Sequence, residues 1–477
     1  MPSLSKQTLL TEGRATLTLA FPLVAGQLGQ MLVGLADTLM IGQLGVVPLA
    51  AATFANTILY LPLMFGIGMT MAVSIRVSQA HGAKDVPMAR EALRNGLFIA
   101  LVVGLLSVVL AGVLIPFLHL FGQEPEVAAA ADRYFLICAV SMIPAIGSMA
   151  MKNHADAMNH PWPAFWILLG GVLLNVFLNW VLIWGKFGAP ALGLEGAAIA
   201  TLVSRVISLA GLIGWSRGSR TIGEWVPRHW FKRPHGPSIR SLAKVGLPAS
   251  LQLLAEVSAF VAATLVIGTI SKEALASHQV AITCAATVFM VPLGISMALT
   301  VRIGEAWGAK AHERLRPLVV SGWILGAVFT LFSATAVLAF PGTIADWFLD
   351  EPETVAVATT LLLVSAAFQF SDAMQILSMG ALRGLDDVHG PAWLAVFAYW
   401  VVSLPVGAWL AFGLDWGASG MWWGITLGLT LTAVLLGRRL WLRTAASLPR
   451  NPCIRRQPFP PLTPQTPSDR SSTSRRG

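Results

Sequence analysis

Charge is scarce in this chain. Only 12% of its 477 residues are Asp, Glu, Lys or Arg, against 55% hydrophobic residues and a mean hydropathy of +0.70. That balance excludes a soluble globular protein of this length. Cysteine is scarce too. Cys138, Cys284 and Cys453 are scattered without metal-ligand spacing, which argues against a disulfide framework or a zinc site. The chain opens on polar residues (Ser3, Ser5, Lys6, Gln7, Glu12, Arg14). No short apolar core with a small-residue cleavage site follows, so no cleaved signal peptide is expected.

What the chain has in quantity is long apolar runs. Stretches able to cross a hydrocarbon core of about 30 Å fall at 15–44, 47–73, 94–117, 128–151, 162–184, 193–216, 244–268, 275–300, 317–341, 354–381, 391–412 and 417–437. The expectation is an all-α polytopic membrane protein with twelve transmembrane helices. The segment Met71 to Lys84, with Arg76 and Gly82-Ala83-Lys84, recurs 226 residues on as Met297 to Lys310, with Arg302 and Gly308-Ala309-Lys310. The same offset pairs Pro22 with Pro248, Ile41-Gly42 with Ile267-Gly268, and Gly68 with Gly294. Offset 227 pairs Glu124-Pro125-Glu126 with Glu351-Pro352-Glu353, and offset 224 pairs Gly193 with Gly417. So long a period means two duplicated helical bundles rather than a solenoid. Paired bundles in a membrane are the architecture of secondary transporters.

The net charge of +9 is a matter of topology, not of nucleic-acid binding. Lys84, Arg90 and Arg94, then seven Lys or Arg between Arg217 and Lys244, then Lys310, Arg314 and Arg316, then Arg438, Arg439 and Arg443 occupy alternate loops, whereas 346–353 holds four acids and no cation. The positive-inside rule puts both termini in the cytoplasm. The expected division is a cytoplasmic terminus at 1–14, an amino-terminal six-helix lobe at 15–216, a cytoplasmic linker at 217–243, a second lobe at 244–440, and a tail at 441–477 whose Pro, Ser, Thr and Arg content predicts disorder.

Few ionisable residues lie well inside the runs: Asp37, Arg205, Glu256 and Asp372. Each costs about 2.5–3.5 kcal/mol at a helix centre and calls for a reason. Asp132 and Lys152 fall at run ends, and His154, Asp156 and His160 are read as a polar loop without a metal motif. Under the 226-residue offset Glu256 aligns with Gln30 and Asp37 with Ala263, so the two acids stand seven residues apart on equivalent helices. That is about 10 Å of rise on one helical face, which should line a cavity. Gln30, Gly34 and Asp37 form one stripe, Asn175 and Asn179 a second, Gln252 and Glu256 a third, and Ser365, Gln369 and Asp372 a fourth. Carboxylate and amide oxygens suit a hard cation such as sodium, or a transferred proton. The alternative for the amides is interhelical hydrogen-bond glue, and for Arg205 a counter-charge or a snorkelling side chain. Pro22 and Pro248, at equivalent positions in the acid-bearing helices, read either as hinges or as static kinks.

The run Phe21-Pro22 through Gln27, Gln30 and Ala36-Asp37-Thr38 to Gly42 and Gly45 resembles the opening helix of multidrug and toxic compound extrusion (MATE) transporters. So do Ala276-Ser-His278-Gln279-Val-Ala281, the Arg76 and Arg302 repeats, and Gly380-Ala-Leu-Arg383-Gly384-Leu-Asp386-Asp387. The resemblance spans about residues 10–440 and is nearest to the NorM-like branch. It implies two pseudo-symmetric six-helix lobes in a V. Glu256 and Asp372 would be the carboxy-lobe cation site, able to hold Na⁺, and Asp37, Asn175, Asn179 and Thr201 the amino-lobe cluster. Gln30, Gln252, Gln279, Phe368 and Gln369 would line the substrate cavity. Phe368 stands where some sodium-coupled relatives have a tyrosine, which weighs toward the proton. The implied activity is not enzymatic: a monomeric antiporter in the lipid bilayer of a bacterial inner membrane, without cofactor, exporting cationic amphipathic drugs and dyes against inward Na⁺ or H⁺. The alternative, a lipid-linked saccharide flippase, should need a basic cavity.

Overall fold

The computed structural model describes residues 5–230 and 232–446. Twelve helices among them are long and apolar enough to cross a membrane. In chain order they are α1 (Lys6–Gly42), α2 (Val46–Ala83), α3 (Val86–Leu114, continued by a 3₁₀ segment to Phe121), α4 (Pro125–Ala157), α5 (Pro161–Trp184), α6 (Gly193–Gly218), α7 (Gly236–Gly268), α8 (Lys272–Gly308), α9 (Leu315–Ala339), α10 (Pro352–Gly384), α11 (His389–Gly413) and α12 (Gly417–Ala446). Each expected run is present, and most helices extend past it. Polar N-caps explain part of the extension, because a side-chain oxygen takes up an otherwise orphaned backbone N–H. Ser5 accepts from the Thr8 N–H, which carries α1 back into the expected terminus 1–14, and Asp85 and Ser271 accept from Met88 and Ala274. The helix of the expected tail continues to Ala446, and 447–477 lie outside the described residues. The expected linker contains a 3₁₀ turn, Gly223–Trp225, between α6 and α7.

The duplication is visible atom by atom at the end of the bundle that carries the basic loops. Lys84 and Lys310, 226 residues apart, both close their helices in the left-handed region, φ 57° and 58°. Gly82 lies so close to the Glu305 carbonyl that a β-carbon has no room, and Gly308 stands in the same relation to the Gln79 carbonyl. Because 79 and 305 are themselves equivalent, the two contacts are images of each other about a pseudo-two-fold axis between α2 and α8. Gly68 against Ser250 and Gly294 against Val24 form a second image pair.

The halves are not separate packing units. Leu19, Ala20 and Leu23 of α1 belong to the apolar core of the second half, whereas Leu242 and Val245 of α7 belong to that of the first. This reciprocal exchange makes α1 and α7 bridges. The repeated arginines reinforce it. Arg76 donates to Asp386 of the second half at 3.0 Å, and Arg302 reaches back to Glu12 of the first, which also binds Arg314 at 2.9 Å. Pro22 and Pro248 are buried inside uninterrupted helices.

Candidate functional site

In the first half, α1, α5 and α6 bring all four expected residues together. Asn179 donates to Asp37 Oδ1 at 2.6 Å and to Asn175 Oδ1 at 3.4 Å, and Asn175 donates to Thr201 at 3.3 Å. The i, i+4 spacing of the asparagines on α5 places both amides on one side of the helix. Asn179 Oδ1 is buried without a partner among the described residues, an acceptor left over beside the carboxylate. Arg205 is anchored by Ser141 at 2.7 Å, and its charge acts on Asp37.

In the second half, Glu256 of α7 and Asp372 of α10 lie near enough for their like charges to act on each other. The surroundings differ in kind. Phe368 packs edge-on against Trp422 and Phe260, and Phe260 packs against Tyr399. Tyr399 accepts from Gln375 at 2.7 Å and is within reach of Glu256. Trp422 donates to His278, whose other ring nitrogen meets Thr264 at 2.9 Å. Arg383 donates to Gln252 Oε1 at 2.9 Å, one helical turn from Glu256. Two like charges that act on each other gain from a cation placed between them, even with the Arg383 guanidinium nearby, so the arrangement can take up and give back one positive charge.

The profile of the MatE family matches residues 22–181 and again 248–409, two copies starting 226 residues apart. The chain belongs to the MatE family. It is 35% identical over 446 residues to the "Probable multidrug resistance protein NorM" of Rhizobium meliloti (strain 1021), covering 92% of this chain and 96% of that one. It is 38% identical over 427 residues to the protein of that name from Bradyrhizobium diazoefficiens, covering 88% and 91%. Its fold is that of a crystal structure described as "MATE in the bent conformation", with a TM-score of 0.84 at 19% identity over 93% of this chain and 98% of that one. MatE proteins are transporters, not enzymes.

Of the residues assigned to the substrate cavity, Gln30 and Gln279 are exposed, while Gln252, Phe368 and Gln369 are buried, Gln252 on Arg383 and Gln369 on Ser333 at 2.8 Å. One expectation is corrected. Residues 152–157 are not a loop but the last turns of α4, with Lys152, His154 and Asp156 buried and Lys152 paired to Asp156 at 2.7 Å. Among the described residues no group of His, Cys, Asp and Glu could hold a metal ion as a cluster of three. Sequence reading also missed Tyr399, Gln375 and the inward placement of Arg383. Tyr399 sits in a π-helical stretch, Phe397–Ser403. Such i→i+5 turns cluster at functional sites, but the register shift they impose has no signature in an apolar run.

Proposed function

We propose that this protein is a multidrug efflux antiporter that exports cationic amphipathic compounds in exchange for inward Na⁺ or H⁺. It works as a monomer in a bacterial inner membrane with both termini cytoplasmic, and it needs no cofactor. The observation that carries the reading is the pairing of Glu256 with Asp372 beside an aromatic wall of Phe260, Phe368, Tyr399 and Trp422. Aromatic faces attract organic cations, here through Phe260, the one ring of the four that is not buried, and the same carboxylates attract the coupling ion, so drug and ion compete for one charge. Competition for shared groups is sufficient coupling. Asp37 with its amide partners supplies a third acid on the other side of the pseudo-two-fold axis. The names of its relatives, which speak of multidrug resistance, agree.

The test is efflux of a cationic dye from reconstituted vesicles under an imposed sodium gradient and, separately, under an imposed proton gradient. Efflux driven by one or both is expected, and its absence under both would sink the antiport reading. Reporter fusions at Arg228 and Asp350 should report opposite sides of the membrane.

A further inference from the structure

A third polar centre lies on the pseudo-two-fold axis, joined to the Glu256 cluster through Arg383. Here α1, α2, α4, α8 and α10 enclose a cavity of about 30 Å³, room for water but not for an organic molecule. Equivalent residues of the two halves face each other across it: Met71 and Met297, Ser74 and Thr300, Ile75 and Val301. One equivalent pair differs in charge. Asp156 of α4 and Arg383 of α10 also line the cavity, and they are related by the offset of 227 that relates Glu124-Pro125-Glu126 to Glu351-Pro352-Glu353. The duplicated positions thus carry opposite charges toward one small space.

Neither charge is fully engaged. Asp156 is 2% exposed; one oxygen takes Lys152, and the other, Oδ1, is buried with no partner among the described residues. Arg383 is 4% exposed, and among the described residues its guanidinium, with five N–H donors, makes a single hydrogen bond, to Gln252. The carboxylate whose charge acts on it is Glu256. The buried Asp156 oxygen without a donor carries an unmet cost, the Arg383 guanidinium has donors to spare, and both line the same cavity. The charged groups on this path are Lys152 and Asp156 from α4 and Arg383 from α10, with Glu256 of α7 near enough to act on Arg383 and on Asp372. α1, α2 and α8 contribute no charge to the wall.

We infer that Arg383 is a counter-charge shared between Glu256 and Asp156, leaving the Gln252–Glu256 side for the axial cavity when the coupling ion arrives. The inference rests on the antiport reading and assigns Arg383 and Asp156 the role of positioning residues that set how strongly the ion binds. While Arg383 faces Glu256 it competes with the incoming cation, and Asp156 favours cation binding by offering the guanidinium another partner. Lys152 opposes this by occupying the same carboxylate.

The signs are opposite and can be measured. Purified protein in lipid nanodiscs is loaded with ethidium, and half-release is followed against NaCl at fixed pH and against pH without sodium. Asp156→Asn should move the midpoint about tenfold toward higher ion concentration, leaving ethidium affinity without the coupling ion near that of the unaltered protein, and Asp156→Glu should restore it. Arg383→Met should move the midpoint the other way, and in the double variant the Asp156 effect should vanish, because coupled residues are non-additive. Lys152→Met, expected to shift in the Arg383→Met direction, serves should Arg383→Met not fold. An unmoved midpoint in Asp156→Asn, shifts of the same sign for Asp156→Asn and Arg383→Met, or simple additivity would overturn the inference while the antiport reading stood. Failure of either ion to release ethidium from the unaltered protein would instead bring down the antiport reading, and the inference with it.

Discussion

The two halves descend from one bundle, yet they hold charge differently. The first places a single acid, Asp37, among neutral donors, Asn175, Asn179 and Thr201. The second places two acids among aromatic rings with a phenol and a guanidinium nearby. A lone carboxylate with an amide donor is tolerable whether or not a cation is present, since the hydrogen bond offsets part of its cost. Two carboxylates in an aromatic enclosure gain from an added positive charge. The second half is therefore where occupancy by an ion should be felt most strongly, and the first where it should be modulated.

The sharpest way to break this contrast is to neutralise the acids in turn. Glu256→Gln or Asp372→Asn should abolish ion-driven accumulation. At 100 mV the dye gradient held by vesicles should fall by up to about fiftyfold, the worth of one charge crossing that potential, about 2.3 kcal/mol. The double variant should cost little more than the worse single one, as for groups acting as a unit. Near-normal coupling in both single variants would return the pair to structural glue. Asp37→Asn should reduce coupled efflux by roughly tenfold, on the scale of a lost charge-assisted hydrogen bond of about 1.5–3 kcal/mol. If it matches Glu256→Gln, the halves are functionally equal and the contrast fails. Asn179→Ala should cost only a few-fold, about 1 kcal/mol for a neutral partner, read in the same assay.

The same asymmetry should appear in stability. Glu12 is about 10% exposed at its side chain and serves both Arg302 and Arg314, whereas Asp386, at 38%, serves Arg76 alone. Glu12→Gln should destabilise by about 2 kcal/mol, below the 3–5 typical of a fully buried pair because Arg314 is half open to solvent. Asp386→Asn should cost under about 1 kcal/mol, as exposed pairs do. Denaturation in detergent would compare them, and an equal loss would show that the two arginines are interchangeable.

The helical runs and the duplication could be read from the sequence because each rests on local pattern, apolar length or a fixed offset; i, i+4 spacing put Asn175 and Asn179 on one face, and the family resemblance joined them to Asp37 and Thr201. What could not be read depends on which neighbour covers a residue. Lys152 and Asp156 look like loop residues because the apolar run stops at Met151, but α4 continues to Ala157 with both side chains buried, in a helix packed chiefly on α2, α3 and α6. Tyr399 looks like one more aromatic in an apolar stretch until the π turns rotate it toward Glu256. The crossing of α1 and α7 into the opposite cores hides because Leu19 and Val245 would be apolar in either half.

The glycines that bring α2 and α8 together have a mechanical consequence. At Gly82 and Gly308 main chain lies directly on main chain, with no side chain between to stretch, rotate or repack. Such a seam does not loosen by degrees; it is either shut or parted. A single methyl at either glycine would act as a wedge driven into it, propping it open without altering any charge. Alanine there should favour the parted form, so that the balance between conformations could be set by carpentry rather than by electrostatics.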